Sequence, residues 1–256
     1  MSALAVARAQ GLFHLVGDGW PLMQAGRRRG GGAGGAAGGP RAAQRGAVGD
    51  AVPGRQARMR FDGWIVGTGT AAGTRVVLGH WARSPFGRFS DVMVERADGH
   101  RLLLAPSRRT ADFIAATYAF DDVEVTPVAV RVEGRHWEIT AGPLHLRLTT
   151  GRRGPTGRLL RAVPAPLAAH PAWTAVTYPP ARLLLGVRTR GSAGAGRREW
   201  YGALDLLPVV SATTVYGGRD QGPSAPVAPP VRFGFGSAPR RPSAVRVVTT
   251  VAVSGP

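Results

Sequence analysis

Short segments of alternating or β-branched residues, separated by tight-turn residues, fill most of the chain after residue 60 and constrain its fold. Residues 136–139 and 144–148 alternate polar and apolar side chains on either side of Ala141-Gly142-Pro143. Asp98-Gly99, between the segments 89–95 and 100–104, is a strong hairpin signal. Consecutive strands with one buried face each are typical of an antiparallel sheet. The pattern predicts one mainly β domain over residues 59–256.

One helix interrupts these strands. Ser107 is a suitable N-cap, and Ala111, Ile114, Ala115 and Tyr118 follow at the spacing of one apolar helical face. The helix is predicted to run to about residue 119, with its apolar face against the sheet.

The remaining segments complete an α+β, mainly β fold class. Pro127 indicates an edge position or a bulge in the segment that contains it. Residues 157–163 fit a short helix or a strand, and a Gly/Pro-rich loop is predicted between residues 216 and 231. Further strands are predicted at 61–66, 75–78, 123–132, 181–189, 197–207, 209–216, 231–235 and 244–253. The whole predicts an antiparallel, barrel-like sheet with one or two short helices.

The stretch before the domain has a different composition. Residues 24–58 contain the run RRRGGGAGGAAGGPRAAQRG, which has too few large apolar side chains to offset the entropy of ordering it. Residues 1–58 are therefore predicted to be a disordered Arg/Gly-rich extension. One interpretation is a basic arm that binds nucleic acid. The other is that translation begins at Met59 and that the start of the gene has been assigned too far upstream.

Composition excludes several chemistries. The chain has no Cys, which removes disulfides, thiolate metal sites and cysteine nucleophiles. All 33 basic residues are Arg, and the net charge of +18 would suggest a nucleic-acid partner. The Arg residues are scattered along the chain, and GC-rich codon usage explains their number. We therefore do not expect nucleic acid to be the main partner. The sequence leaves the oligomeric state open.

Targeting and cofactor signals are absent from the sequence. No run of about 18 apolar residues exists, so no membrane span is predicted, and without a clear signal peptide the expected location is the cytoplasm. Gly67-x-Gly69 and the glycines of residues 191–196 lead into strands, as turns do, and a P-loop would also need a Lys. The six His are isolated, and no Gly-x-Ser-x-Gly elbow occurs. Neither a metal nor an organic cofactor is predicted.

Three short motifs combine aromatic and acidic residues. The first is Ser84-Pro85-Phe86-Gly87-x-Phe89-x-Asp91 at the head of a strand, followed by a hairpin and a helix. The second is Thr117-Tyr118-Ala119-Phe120-Asp121-Asp122-Val123 after that helix, and Glu199-Trp200-Tyr201 is a weaker third similarity. Together these motifs resemble the acetoacetate decarboxylase-like superfamily. The resemblance covers roughly residues 80–130 and implies an acetoacetate decarboxylase-like fold.

The resemblance also implies positions for a ligand pocket. In that family the first motif carries an acid that lines the pocket, and Asp91 matches it. The second motif carries the lysine that forms a Schiff base with a keto acid, but Asp121 and Asp122 stand in the place of the lysines. An imine requires a primary amine of lowered pKa, so a chain without lysine cannot decarboxylate by that route.

The sequence therefore favours a small-molecule-binding protein of this kind, with a small carboxylic or keto acid as its ligand. Arg88 and Arg198 are candidate carboxylate partners through bidentate pairing. A first alternative is a lyase or hydrolase in which Asp91 and Asp122 act as general acid and base. A second alternative is a nucleic-acid-binding protein that uses its Arg-rich surface. The pocket candidates are Arg88, Asp91, Tyr118, Asp121, Asp122, Arg198 and Glu199.

Overall fold

The computed structural model describes residues 57–168, 190–192, 198–234 and 238–253. Its strands are β1 Ala57–Thr70, β2 Arg75–Arg83, β3 Phe89–Glu95, β4 Arg101–Ala105, β5 Asp122–Val125, β6 Val128–Glu133, β7 His136–Ala141, β8 Leu144–Thr150, β9 Arg190–Ser192, β10 Arg198–Tyr216, β11 Arg219–Ala225 and β12 Ser243–Val253. Its helices are α1 Arg108–Ala115, α2 Pro155–Ala162 and α3 Ala165–Ala168. The predicted extension as far as residue 56 and the predicted strand at 181–189 lie outside the described residues.

The described strands form one sheet in the order β5-β4-β3-β2-β1-β11-β10-β8-β7-β6. β12 pairs with the first part of β1 on one side and of β10 on the other, and β9 pairs with β10. All pairs are antiparallel except β4 with β5. The predicted fold class, mainly β with a largely antiparallel, barrel-like sheet and short helices, is confirmed, although the sheet is not a closed barrel.

The sheet folds over so that both faces of β1–β4 are buried. One face packs against β7 and β8, where Val92 and Leu78 join Trp137, Ile139 and Leu146 in the main apolar cluster. The opposite face packs against α1 and against Val227, Val231, Phe233 and Ala238 in two further clusters. Strands buried on both faces carry near-continuous apolar sequence, as β2 and β4 do.

Helix α1 confirms the predicted cap and is shorter than predicted. The Thr110 amide donates to Ser107 Oγ at 3.2 Å, and Ala111 and Ile114 are buried. The helix ends at Ala115, and Tyr118 lies in the turn that follows it. The undecided segment at 157–163 belongs to α2, which starts at Pro155.

The second half differs from the prediction in three places. β10 is one strand of 19 residues, and Pro208 lies where its partner changes from β12 to β8, so its missing amide hydrogen costs little there. β11 forms where a loop was predicted, since its backbone pairs with β1 and β10. Residues 231–234 are not a strand but cross the face of the sheet.

Pro127 breaks the single strand that was predicted over residues 123–132. It separates β5 from β6, and each of these strands lies at an end of the sheet order, so the predicted edge position is confirmed. Within the described ranges, no helix has the length and apolar character needed to cross a membrane.

A buried ion cluster fixes the covering segment to the sheet. Glu95 on β3 is fully buried and accepts hydrogen bonds from the Arg232 amide at 2.7 Å and from Arg232 Nε at 2.8 Å. Arg75 Nη2 on β2 lies 3.3 Å from the same carboxylate. The cluster positions residues 231–234 above the sheet.

Candidate functional site

A cavity of about 60 Å³ lies between the sheet and the elements that cover it. Its floor is the face of β1, β2, β3, β10 and β12 that points away from the main apolar cluster. Helix α1, the turn after it and residues 231–234 form its cover. The volume suits a ligand of a few heavy atoms. Most of the lining is apolar: Phe61, Ile65, Val77, Phe89, Met93, Phe113, Ile114, Val231, Phe233 and Val251.

Successive side chains of β3 point to opposite faces of the sheet, and this places one carboxyl group in the cavity wall. Val92 and Val94 point into the main apolar cluster, so Asp91 and Met93 point to the other face and line the cavity. Asp91 is only 3% exposed. The Trp81 indole Nε1 donates a hydrogen bond to Asp91 Oδ1 at 2.9 Å. Burial raises the pKa of Asp91 to about 7, against the opposing effect of the Trp81 hydrogen bond.

Gly79 makes room for this carboxyl group. It pairs directly with Asp91 across β2 and β3. A Cβ atom at Gly79 would lie 2.5 Å from Asp91 Oδ1 and 2.7 Å from Trp81 Nε1. The hydrogen bond between Trp81 and Asp91 therefore requires glycine at this position.

Two phenols and a second carboxyl group form another polar part of the lining. The Tyr118 hydroxyl lies 3.0 Å from Glu199 Oε2 and 2.7 Å from the Tyr201 hydroxyl, and the Tyr201 hydroxyl donates to Glu199 Oε2 at 3.0 Å. Glu199 is 2% exposed. Burial and the Glu199 charge raise the pKa of both phenols well above the ordinary value. Both phenols therefore stay protonated, as hydrogen-bond donors, at neutral pH.

The register of the sheet brings these groups together. Glu199 and Tyr201 are two positions apart on β10 and share a face, while Tyr118 reaches them from the cover. Asp91 is close enough that its charge, after burial and Glu199, contributes to the raised pKa of Tyr118.

Thr249 on β12 adds a hydroxyl group to the lining. It pairs with Phe61 on one side and Tyr201 on the other. The residue is 4% exposed, and its Oγ1 has no hydrogen-bond partner within the described part of the chain. An unpaired buried hydroxyl is costly, so this position is suited to a ligand that supplies the partner.

Three of the seven predicted pocket residues line the cavity: Asp91, Tyr118 and Glu199. Arg198 precedes Glu199 on β10 and is exposed, because neighbouring strand residues point to opposite faces. Arg88 is exposed as well and does not line the cavity.

The adjacent aspartates Asp121 and Asp122 lie outside the cavity. Arg101 binds Asp121 through two side-chain hydrogen bonds and one from its backbone amide, which together lower the pKa of that carboxyl well below its usual range. Asp122 is exposed at the start of β5 and lies 2.9 Å from His100 Nε2. The structure therefore does not form the predicted pair of Asp91 with Asp122, since the chain after α1 turns outward to pair with β4.

Trp81, Tyr201 and Thr249 were missed as site residues. Thr249 lies on the strand face that it shares with Val245, Val247 and Val251, and a polar residue on that face is a signal that would have identified it. Tyr201 could have been found from its spacing of two from Glu199. No group of three or more His, Asp or Glu side chains that could hold a metal ion comes together among the described residues.

No protein-family model and no curated protein sequence matches this chain. One solved structure similar to it is the crystal structure of acetoacetate decarboxylase from Legionella pneumophila. The similarity has a TM-score of 0.37 and 8% sequence identity, and it covers 78% of this chain and 86% of that one. Membership of the superfamily stays a prediction.

Proposed function

We propose that this protein binds a small, largely apolar organic molecule that carries one carbonyl or carboxylic acid group. The observation that carries the proposal is the Asp91 carboxyl, buried in the wall of an otherwise apolar cavity. Burying an ionisable group is expensive and contributes little to stability, so such groups in cavities are candidates for binding or catalysis.

The unpaired hydroxyl of Thr249 supports the same proposal. A ligand oxygen that accepts a hydrogen bond from Oγ1 would remove the cost of leaving this group without a partner. Apolar side chains around it would contact the rest of the ligand. A mostly apolar cavity with a few polar groups is the usual composition of a small-molecule site.

The charges of the described lining favour a neutral ligand over an anion. Asp91 and Glu199 are both carboxyl groups, and no Arg is among the described lining residues. A carboxylate ligand would face repulsion from Asp91 in its ionised form. We therefore favour a small ketone or the protonated form of a small acid, bound without an imine because the chain has no lysine.

Thermal unfolding of the full chain with 2-butanone, cyclopentanone, isobutyric acid or an oligonucleotide tests the proposal. A ligand at about a hundredfold its Kd stabilises by about 2.7 kcal/mol, which raises Tm by about 5 to 10 °C. We expect a shift with a ketone or, at low pH, with the acid, and little change with salt. A shift with the oligonucleotide alone, lost at high salt, would favour the nucleic-acid alternative and contradict the proposal.

The matched control for this experiment is Thr249→Val, which keeps the side-chain shape and removes the hydroxyl. The ligand-induced shift should decrease in this variant, because the ligand oxygen loses its donor. An unchanged shift would mean that the small molecule binds elsewhere.

A further inference from the structure

We propose that the cavity is a proton-transfer site for a small carbonyl compound: the Asp91 carboxylate removes a proton from the carbon next to the carbonyl, and the Tyr118 hydroxyl donates a hydrogen bond to the carbonyl oxygen. The inference rests on the proposed function, since it needs the same ligand in the same cavity. It assigns chemistry to two groups that binding alone does not require.

Asp91 has the placement of a base. Trp81 Nε1 holds Oδ1 at 2.9 Å and so fixes the orientation of the carboxyl group. Among the described residues, no other side chain or backbone amide donates a hydrogen bond to it, which leaves the carboxylate able to accept a proton from a ligand. Because its pKa is about 7, a large fraction of Asp91 is ionised at neutral pH while the group remains a stronger base than an exposed aspartate.

Tyr118 has the placement of a donor. Three short oxygen–oxygen contacts join Tyr118, Tyr201 and Glu199, and the two phenols supply only two hydrogens for them. Tyr201 can donate its hydrogen to the Tyr118 oxygen, 2.7 Å away, while the hydrogen of Tyr118 turns to a ligand oxygen. The bond from Tyr201 then holds the phenol in position.

The apolar lining strengthens this arrangement. Phe61, Val77 and Met93 surround the cavity with groups that cannot solvate an enolate. In such surroundings a fixed hydrogen bond stabilises developing negative charge more than water does. The Tyr118 hydroxyl therefore lowers the activation free energy of the proton transfer.

The reaction is balanced without a co-reactant. The bond between hydrogen and the neighbouring carbon breaks, and its electron pair forms a double bond to the carbonyl carbon. The π pair of the carbonyl moves to oxygen, which accepts the hydrogen bond from Tyr118, and Asp91 holds the proton. If the proton on Asp91 is replaced by a solvent hydrogen before transfer back to the same carbon, the ketone has exchanged one hydrogen with solvent. Transfer to a more distant carbon of an unsaturated ketone instead moves the double bond.

Two assays on the full chain test the proposal. Deuterium incorporation into 2-butanone in D₂O is followed by NMR, and conversion of 4-penten-2-one to its conjugated isomer is followed by ultraviolet absorbance. The second assay reports proton transfer even where Asp91 does not exchange its proton with solvent. We expect both rates to exceed the buffer rate and to rise with pH through about 7.

Variants separate catalysis from folding. Asp91→Asn should lower the rate at least about 100-fold, as loss of a general base does, and Tyr118→Phe should lower it about 100-fold, as loss of an oxyanion donor does. Asp122→Asn removes an exposed carboxylate outside the cavity and should leave the rate unchanged. Ketone binding by the two cavity variants, measured by NMR shift changes, shows that each still folds.

The outcomes are distinct. If the ketones bind and neither assay exceeds the buffer rate, the inference is wrong and the proposed function stands. If no ketone and no acid binds, the proposed function fails and the inference with it. Activity that survives in Asp91→Asn overturns the assignment of the base.

Discussion

Asp91→Asn should change how the stability of the protein depends on pH. The ordinary pKa of Asp91 is 3.8, and burial raises it to about 7 in the folded chain. Between pH 5 and 7 the folded chain holds a proton that the unfolded chain has already released, so stability falls as pH rises. Each pH unit in this window costs about 1.4 kcal/mol, which gives about 3 kcal/mol from pH 5 to 7.

Asparagine keeps the shape and the acceptor for the Trp81 indole but does not titrate. The variant should match the wild-type protein near pH 5 and exceed its free energy of unfolding by about 3 kcal/mol at pH 8. Denaturant unfolding at a series of pH values measures this difference. The other titratable groups contribute equally to both proteins, so their contributions cancel in the difference. Asp112→Asn, which removes an exposed carboxyl group beside Arg108 on α1, is the control, and its effect on the free energy of unfolding should be small. Parallel curves for wild type and Asp91→Asn would refute the reasoning.

Three further predictions concern the same region. Gly79→Ala should destabilise by about 1 to 3 kcal/mol in thermal unfolding, because its Cβ has no room. The control is Gly154→Ala at the N-cap of α2, where nothing lies within 4 Å and only the capping preference, about 1 kcal/mol or less, is lost. Glu95→Gln should cost about 3 to 5 kcal/mol because it breaks a buried ion cluster, whereas the exposed Glu133→Gln should have little effect on denaturant unfolding. Thr249→Val should stabilise the free protein by about 1 kcal/mol and weaken ketone binding, and a less stable variant would contradict an unpaired hydroxyl.

Local signals made the first half of the domain predictable. Asp98-Gly99 favours a tight hairpin turn, and Ser107 favours the start of a helix. The structure has both. Pro127 indicated an edge position but not the break between β5 and β6. Each signal acts within a few residues of sequence, which is why a single chain reveals it.

Pairing partners distant in sequence decided the parts that could not be predicted. β11 contains Gly222 and Pro223 and has little strand propensity of its own, but β1 and β10 supply its hydrogen bonds. Pro208 suggests a break in β10, yet the strand continues because its partner changes there. Such effects of tertiary structure override local preference.

The candidate site was predictable only in part. Asp91 was identified from the motif at the head of its strand, because that motif resembles one that carries a pocket acid. Arg198 and Glu199 could not be separated, since the sequence does not say which face of β10 is buried. The convergence of Tyr118 with Tyr201 depends on how α1 lies on the sheet, and no local pattern encodes that placement.

Titration of the Asp91 carboxyl carbon by NMR, with and without 2-butanone, tests the central claim most directly. Comparison with Asp91→Asn assigns the signal. The account predicts a midpoint near pH 7 in the free protein and a higher midpoint with the ketone, which displaces water from the carboxylate. A midpoint below about 5 that 2-butanone leaves unchanged would mean that Asp91 is an ordinary hydrated carboxylate and that the cavity does not bind the ketone.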